Sequence, residues 1–287
     1  LLKTMKPLSI AAIQLSLANR DNCSLVKKKT KEAVSRFPWL QMIVFSELAV
    51  GGAGSKDSSF YLSEYIDKFK ALAKELGIWL LPGSFYEETE EGIFNTAPVI
   101  NNKGELVTKC RKLYPFLPYE VGVEAGNEAC VFEVPGFGTL GLHICYDLWF
   151  PETSRALALK GAEVILHPSL TDTCDRDVER AMVKATAAQQ QCYYIDVNAG
   201  GEQGCGLSLI AGPDGEILHD ASIGEEFMLV EVDFDRVRRC RKRGLRGLGQ
   251  PVKSFRDDPK LNLADEKDEN YLTKLGPLEI PKKEKNP

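Results

Sequence analysis

Three residues with reactive side chains stand at the ends of apolar or strand-like segments. Cys145 ends GLHIC, Glu47 ends IVFSE and Lys112 ends LVTKCRK. A thiol, a carboxylate and an ammonium group can supply the nucleophile, the proton carrier and the positive charge that hydrolysis of an unreactive amide requires. Each residue alone also has an ordinary structural explanation, because most buried cysteines are inert and most charged residues after a strand are solvated. The hypothesis therefore depends on whether the fold brings the three together.

The segments around these residues alternate between two kinds of periodicity. Apolar runs predict strands that would present residues at their carboxyl ends, and amphipathic runs predict the helices between them. Strands alternating with helices, together with adjacent hairpin strands, predict an α/β domain with one mixed sheet or two sheets. We predict strands at Leu8–Leu15, Gln41–Ser46, Ile78–Tyr86, Phe94–Ile100, Glu105–Arg111, Leu140–Ile144, Val164–His167, Tyr193–Asn198, Leu207–Ala211, Glu216–His219 and Phe227–Val232. We predict helices at Asn22–Phe37, Ser63–Leu76, Glu152–Lys160 and Val178–Gln191, and a basic helix from Asp233.

The composition excludes several classes of protein. The chain has 287 residues, 44% of them hydrophobic and 27% charged, which is typical of a globular α/β domain with a substantial core. The net charge of −5 does not suggest a nucleic-acid-binding protein. No apolar run approaches the roughly 20 residues that span a bilayer. We therefore expect neither a nucleic-acid nor a membrane partner.

The eight cysteines are too few for a disulfide scaffold in a chain of this length. Cys110, Cys145, Cys192 and Cys205 lie in apolar or strand-like segments, where a reduced cysteine behaves as a small hydrophobic residue. Reduced cysteines predict a reducing compartment, and we expect the cytoplasm. With three histidines and no Cys-x-x-Cys motif we expect no metal. The glycines of Ala199–Gly206 lack the Lys-Ser/Thr of a nucleotide-binding loop, so we expect no cofactor.

The composition changes after Gly244, where Gly, Pro, Lys and Glu become frequent and apolar residues become rare. We therefore predict one catalytic domain over residues 1–243. Residues 244–287 would form a C-terminal extension, either irregular and lying over the domain or an arm exchanged with a second subunit.

The sequence around the three reactive residues resembles the nitrilase superfamily of carbon–nitrogen hydrolases, in order from about Leu8 to Val232. The resemblance is carried by the nucleophile segment Gly141–Glu152 (GLHICYDLWFPE), the catalytic Glu segment Val44–Leu48 (VFSEL), the Lys segment Arg111–Glu120 (RKLYPFLPYE), and two supporting strands in Phe94–Ala97 (FNTA) and Gly206–Gly215 (GLSLIAGPDG).

This resemblance implies a four-layer α-β-β-α sandwich and a mechanism through a cysteine thioester. By the resemblance, Cys145 attacks the carbonyl, Glu47 moves protons, and Lys112 stabilises the oxyanion together with the backbone N–H of Tyr146. Glu120 is implied as a fourth residue that orients Lys112 or the substrate, with a purely structural salt bridge as the alternative. His143 has no direct role by this reading, because the base of the family is a carboxylate. A homo-oligomer, either a dimer or a multiple of dimers, is also implied.

Aromatic residues near the nucleophile and the lysine favour a small, partly apolar pocket for an amide, although they could also be core or interface residues. We assign substrate contacts to Phe116, Tyr146, Trp149 and Ser169. RKLYPFLPYE most resembles the aliphatic amidase and formamidase branch, but Phe116 stands where that branch has tryptophan. The segment His167–Ser169 (HPS) is closer to carbamoylases and ω-amidases. Alternatives are therefore an N-carbamoyl-compound hydrolase, a nitrilase, a catalytically silent binding protein, or a thiol redox sensor.

Overall fold

The computed structural model describes residues 6–52, 55–117, 119–257 and 273–278. Within these ranges two β-sheets lie face to face, and helices cover their outer sides. The predicted four-layer α-β-β-α sandwich is confirmed.

The first sheet contains seven strands in the order β15–β1–β3–β4–β6–β5, with β7 also paired to β6. Its strands are β1 (Leu8–Gln14), β3 (Met42–Phe45), β4 (Trp79–Leu81), β5 (Phe85–Thr89), β6 (Gly92–Ile100), β7 (Leu106–Arg111) and β15 (Glu226–Val232). The central strands β1, β3 and β4 are parallel to one another. All of their residues are buried because both faces of the sheet are covered.

The second sheet contains six strands in the order β14–β13–β11–β10–β9–β8. Its strands are β8 (Cys130–Val134), β9 (Gly138–Leu142), β10 (Val164–Ser169), β11 (Tyr193–Asn198), β13 (Leu209–Ala211) and β14 (Ile217–Asp220). Strands β9, β10 and β11 are parallel, so their carboxyl ends lie at one edge. A separate short pair joins β2 (Ser16–Leu17) to β12 (Gly200–Gly201).

Helices flank both sheets. They are α1 (Cys23–Arg36), α2 (Leu62–Leu76), α3 (Pro151–Leu159), α4 (Arg176–Gln190), α5 (Phe234–Arg243) and α6 (Pro251–Asp257), with 3₁₀ turns at Ser58–Phe60 and Cys145–Trp149. Helix α2 ends at Gly77, whose φ of +66° gives the left-handed C-cap that glycine favours. None of the helices in the described ranges combines the length and the apolar character needed to cross a membrane.

Alternate residues of each strand point to different layers of the core. On β1, Ile10 packs between the two sheets, whereas Ile13 packs on the outer side against the layer that contains α1 and α2. On β10, Leu166 faces the first sheet and Ile165 faces the layer that contains α3 and α4. Burying each such side chain contributes roughly 1.5–3 kcal/mol, so the interior of the sandwich supplies a rigid frame for the strand ends.

The structure divides the predicted strand Ile78–Tyr86 into β4 and β5. Gly83 lies between them with a φ of +94°. A Cβ atom at this position would lie 2.2 Å from the carbonyl oxygen of Ser46, so only glycine lets the chain pass the end of β3 this closely. Strand β8 was not predicted at all, because its five residues carry little periodicity.

The prediction that Cys110 is a reduced core residue is wrong, because the structure pairs it with Cys130 in a disulfide. Cys110 lies on β7 of the first sheet and Cys130 on β8 of the second, so the bond joins the two sheets. Twenty residues separate the two cysteines in sequence, and a spacing of this size carries no local signal. The other six cysteines are free, and Cys145, Cys192 and Cys205 are among them.

Helix α5 ends at Arg243, next to the predicted boundary of the catalytic domain. The described part of the following segment contains the short helix α6, which its composition did not predict. Residues 258–272 and 279–287 of the predicted extension lie outside the described residues.

Candidate active site

Cys145 lies in a sharp turn between the second sheet and α3. Strand β9 ends at Leu142, and Cys145 begins the 3₁₀ turn that leads to Pro151 at the start of α3. Its φ of +46° is a left-handed conformation that costs a non-glycine residue roughly 1–3 kcal/mol and persists only where the surroundings enforce it. The first N–H groups of a helical turn lack intrahelical partners, which favours the predicted oxyanion role for the N–H of Tyr146.

The Asp147 side chain connects this turn by hydrogen bonds to the segment that carries Lys112. Its Oδ1 accepts backbone hydrogen bonds from Leu113 (3.0 Å) and Tyr114 (2.8 Å), and its Oδ2 accepts one from Ile144 (2.9 Å). Burial raises the pKa of Asp147 to about 6, so the carboxyl remains mainly ionised at neutral pH. The only sequence signal for Asp147 was its place two residues after Cys145.

Glu47 follows β3 in a second irregular turn. Its backbone N–H donates to the carbonyl of Ser169 (3.3 Å), which joins the end of β3 to the end of β10 in the opposite sheet. The next residue, Leu48, has a φ of +46° and donates its N–H to Oγ of Ser84 (3.1 Å). These contacts bring a residue of the first sheet to the nucleophile of the second.

Four buried polar side chains form one network at this point. The Lys112 Nζ lies 2.8 Å from Oε1 of Glu47 and 2.7 Å from Oε2 of Glu120. Nδ2 of Asn95 donates to the same two carboxylates, at 2.8 Å to Glu47 and 2.7 Å to Glu120. Asn95 belongs to the FNTA segment, but nothing in a single sequence identified its side chain as the link between two acids.

Glu120 also holds the chain between it and Lys112. Its Oε2 accepts the backbone N–H of Phe116 at 2.7 Å, and the hydroxyl of Tyr86 donates to its Oε1 at 3.4 Å. Glu120 therefore contacts Lys112 directly and can orient both the ammonium group and the loop that borders the site.

The charges of the network follow from burial and pairing. Burial raises the pKa of Glu47, although Lys112 acts in the opposite direction. Burial has the same tendency on Glu120, but Lys112 and the N–H donors of Phe116 and Asn95 hold its pKa below the usual value. Burial alone would lower the pKa of Lys112, yet the neighbouring acids raise it well above its usual range. Lys112 is thus a stable cation and Glu120 a stable anion, whereas Glu47 is the acid best suited to exchange protons.

Cys145 and Glu47 border the same cavity, and the thiol acts to lower the pKa of the Glu47 carboxyl. Burial, followed by the negative charge of Glu47, raises the pKa of this thiol above its usual range, while Lys112 acts to lower it. The resting pair is therefore a thiol beside a carboxylate. Such a pair can generate the thiolate as the sulfur attacks, with the proton passing to Glu47.

Two cavities open beside Cys145. The first has a volume of about 340 Å³ and the second about 260 Å³, and Cys145 borders both. The first is also lined by the reactive network, namely Glu47, Lys112, Glu120 and Tyr86. The second is lined by aromatic and polar residues that include Tyr146, Trp149, Thr171 and Asp172.

Three of the four predicted substrate contacts border these cavities. Phe116 borders both, and Tyr146 and Trp149 border the second. Ser169 borders neither: it is fully buried, its hydroxyl lies 3.3 Å from that of Thr171, and its carbonyl accepts from Glu47. The structure therefore places Ser169 behind the turn at Glu47.

Two buried histidines lie behind the nucleophile. His143 bonds to Thr153 (3.1 Å) and to the Tyr194 hydroxyl (2.6 Å), so its ring nitrogens are already engaged away from the Cys145 thiol. His167 contacts the carbonyl oxygen of Cys145 through Nε2 at 2.9 Å, a contact that the sequence did not reveal. In the part of the chain that the structure describes, no group of three His, Cys, Asp or Glu side chains could hold a metal ion.

The chain is similar to known proteins over most of its length. Residues 9–242 match the carbon-nitrogen hydrolase family. The chain is 28% identical over 270 residues to a deaminated glutathione amidase of Dictyostelium discoideum, covering 84% of this chain and 92% of that one. It covers 63% of the Rattus norvegicus protein of the same name.

Two further similarities cover most of the chain. A nitrilase of Pyrococcus abyssi is 31% identical over 234 residues, which is 77% of this chain and 86% of that one. The crystal structure of Nit3 from Saccharomyces cerevisiae, a member of branch 10 of the nitrilase superfamily, superposes with a TM-score of 0.75 at 23% identity. That superposition covers 83% of this chain and 94% of Nit3.

Proposed function

Because this chain belongs to the carbon–nitrogen hydrolase family, we propose that it cleaves the C–N bond of a small linear amide through a thioester on Cys145. The observation that carries the proposal is that Glu47, Lys112 and Cys145 border one cavity although they are far apart in sequence. A thiol, a carboxylate beside it and a fixed ammonium group are the parts that this reaction requires.

The geometry supports a definite order of steps. The Cys145 sulfur forms a bond to the amide carbon as Glu47 takes the thiol proton, and the carbonyl oxygen becomes an oxyanion. Lys112 and the backbone N–H of Tyr146 stabilise that oxyanion. The C–N bond then breaks, and Glu47 gives its proton to the departing nitrogen. Water attacks the thioester with Glu47 as base, and the acid leaves with Cys145 restored as a thiol.

The size of the cavities supports a small substrate. Each lies near or below the lower end of the roughly 300–1,000 Å³ range of ligand pockets. Glu47 lies on the wall of the first cavity, so we propose that the departing nitrogen faces that cavity. The acyl group would then extend toward Tyr146 and Trp149 in the second.

Nitrile hydrolysis is the second candidate, and the similarity to a protein named nitrilase favours it. The same Cys145 attack would add to a nitrile carbon, and hydrolysis would again release ammonia. N-carbamoyl compounds remain a third class for testing. The predicted homo-oligomer and cytoplasmic location stay predictions, checked by sedimentation velocity and by subcellular fractionation.

The test is the release of ammonia, or of a free amine where the substrate is a secondary amide, from a panel of substrates. The panel contains formamide, acetamide, propionamide, ω-amides, N-carbamoyl amino acids, simple nitriles and, because of the relative named for it, deaminated glutathione. We expect activity on one class that disappears in Cys145→Ala and persists in Cys174→Ala, which changes an exposed free cysteine.

Rapid alkylation of Cys145 by iodoacetamide provides a second measurement on the same proteins. If no substrate of the panel is hydrolysed and the Cys145 thiol is unreactive, the amidase proposal is overturned in favour of a binding protein without catalytic activity. Activity that survives Cys145→Ala would overturn the assignment of the nucleophile.

A further inference from the structure

Both ring nitrogens of His167 face groups that accept hydrogen bonds. Nε2 lies 2.9 Å from the carbonyl oxygen of Cys145, and Nδ1 lies 2.8 Å from Oδ1 of Asp196. A carbonyl oxygen has no proton to donate, and neither has an ionised carboxylate. A neutral imidazole carries only one N–H. Its other ring nitrogen would then point a lone pair at the lone pair of a buried oxygen, with no proton between them. Only the imidazolium form satisfies both contacts.

Asp196 is held in its ionised form. It is fully buried and forms a bidentate ion pair with Arg176. Burial alone would raise the pKa of Asp196, but Arg176 and His167 hold it below the usual value. Arg176 also pairs with Glu179, at 3.1 Å. The buried set therefore carries two negative charges, and it becomes neutral only when His167 joins Arg176 as a second cation. An uncompensated charge at a buried position is strongly destabilising.

His143 provides an internal contrast. The Thr153 hydroxyl donates to the carbonyl oxygens of Asp147 (2.8 Å) and Phe150 (2.9 Å), so it is available to His143 only as an acceptor for the Nδ1–H. Nε2 of His143 then accepts from the Tyr194 hydroxyl. Both contacts are satisfied by a neutral ring.

The two histidines accordingly titrate in opposite directions. Burial, followed by the charge of His167, lowers the pKa of His143 well below its usual value. Burial would also lower the pKa of His167, but the hydrogen bond and charge of Asp196 and the Cys145 carbonyl raise it. The charged or titratable groups around His167 are Asp196, Arg176, Glu179, His143, Tyr194 and Cys145.

We propose that His167 is a constitutively protonated positioning residue for the nucleophile. This inference rests on the proposed role of Cys145. The imidazolium donates to the carbonyl of Cys145 and holds the residue in its left-handed conformation, while Asp147 holds the N–H of Ile144 just before it. Its positive charge lies at the backbone carbonyl of the same residue, and from there it favours the thiolate that forms during attack.

Histidine-specific ¹⁵N NMR tests the protonation state without any substrate. The chain has three histidines, His143, His167 and His219, so single variants assign every signal. We expect the His167 ring to show two protonated nitrogens from pH 6 to about pH 8, a range across which an unperturbed histidine loses its second proton. His143 should show one protonated and one bare nitrogen. A bare ring nitrogen on His167 at pH 7 would overturn the proposal. If His167→Gln fails to fold, variants of the other two histidines assign His167 by elimination.

Two substitutions separate the charge of His167 from its shape. The amide of His167→Gln can occupy the Nε2 position and donate to the Cys145 carbonyl without a charge. The amide of His167→Asn can occupy the Nδ1 position and leaves the carbonyl without its donor. We expect Gln to slow alkylation of Cys145 at pH 7 by about tenfold and to move its pH profile upward, since one pKa unit is a tenfold change. Asn should slow it further, with kcat reduced and KM unchanged.

Wild-type alkylation rate and pH profile in His167→Gln would contradict the electrostatic role. His219→Gln, at a partly exposed site that bonds to Glu226, is the control and should behave as wild type. A wrong amidase proposal would give a different result from a wrong assignment of His167. No substrate of the panel would then be hydrolysed, but the NMR pattern of His167 and the effect of His167→Gln on alkylation would persist.

Discussion

Nζ of Lys112 lies 2.8 Å from Oε1 of Glu47, so the cation proposed to stabilise the oxyanion and the acid proposed to carry protons form one ion pair. Burial raises the pKa of Glu47, and Lys112 opposes that effect by favouring the ionised carboxylate. The negative charge of Glu47 in turn raises the pKa of the Cys145 thiol. Glu47 is therefore proposed both to accept the proton and to prevent its early loss.

Glu47→Gln should separate these two effects. The substitution removes the negative charge that raises the thiol pKa, so that pKa should fall and iodoacetamide should react with Cys145 faster at pH 7. Amide turnover should nevertheless drop by about 10²–10⁴, because no group remains to move protons. Alkylation rates between pH 5 and 10 measure the change in the thiol pKa, and initial rates of ammonia release measure the change in turnover.

Glu202→Gln is the matched control, since Glu202 is exposed and borders the same cavity. It should leave both the alkylation profile and turnover close to wild type. A Glu47→Gln profile that moves to higher pH would show that the assumed charge coupling is wrong.

Asn95→Ala should weaken the buried network of Glu47, Lys112 and Glu120, because Asn95 on β6 donates hydrogen bonds to both acids. Two buried carboxylates would each lose a hydrogen-bond donor, and the free energy of unfolding should fall by about 2–3 kcal/mol. Asn95→Asp should be worse, because it would add a third negative charge beside Glu47 and Glu120. Urea denaturation measures the change, and Asn102→Ala on an exposed turn is the control. Wild-type stability in Asn95→Ala would exclude a structural role for this amide.

Asp147→Asn should loosen the connection between the nucleophile turn and the Lys112 segment. The amide can present its oxygen to Leu113 and Tyr114, but its NH₂ group would then face the N–H of Ile144. We expect a loss of about 1–3 kcal/mol in unfolding free energy and a lower kcat. Asp177→Asn, on the exposed side of α4, is the comparison and should change neither quantity. Equal kcat in the two variants would contradict this account of Asp147.

The Cys110–Cys130 disulfide should stabilise the loop that carries Lys112 and Glu120. Closing a loop of this length contributes about 3 kcal/mol in the chain-entropy description, so Cys130→Ser should lower the unfolding free energy by that amount. Dithiothreitol should produce the same loss in the wild-type protein and none in the variant. Cys174→Ser should have no effect. Mass mapping under non-reducing conditions that finds both Cys110 and Cys130 as free thiols would contradict the pairing.

Phe116→Ala and Ser169→Ala should differ in their effect on KM. Phe116 borders both cavities and packs 5.0 Å from the ring of Tyr146, so its removal should raise KM by about tenfold. Ser169 borders neither cavity, and Ser169→Ala should leave KM within about twofold of wild type. Initial-rate kinetics on the best substrate of the panel decide between them. A larger KM change for Ser169→Ala would restore it as a substrate contact.

Much of the architecture follows from local sequence. Strands such as β1, β3 and β4 are largely apolar because both of their faces are covered, and helices such as α2 repeat apolar residues on one face. These patterns depend only on neighbouring residues, so a single chain reveals them. The order of Glu47, Lys112 and Cys145 at segment ends, together with the resemblance to carbon–nitrogen hydrolases, indicated the candidate site in the same way.

The partners within the site were decided by tertiary structure alone. Asn95 between two acids, Asp147 beneath two backbone N–H groups and His167 between Asp196 and a carbonyl are joined by contacts across 22 to 48 residues. The Cys110–Cys130 bond and the passage of Gly83 beside Ser46 likewise depend on how separate strands meet. Hydrogen bonds and charge pairs of this kind require complementary groups at one point in space, and they impose no period on the sequence. Only the packing of the two sheets brings them together.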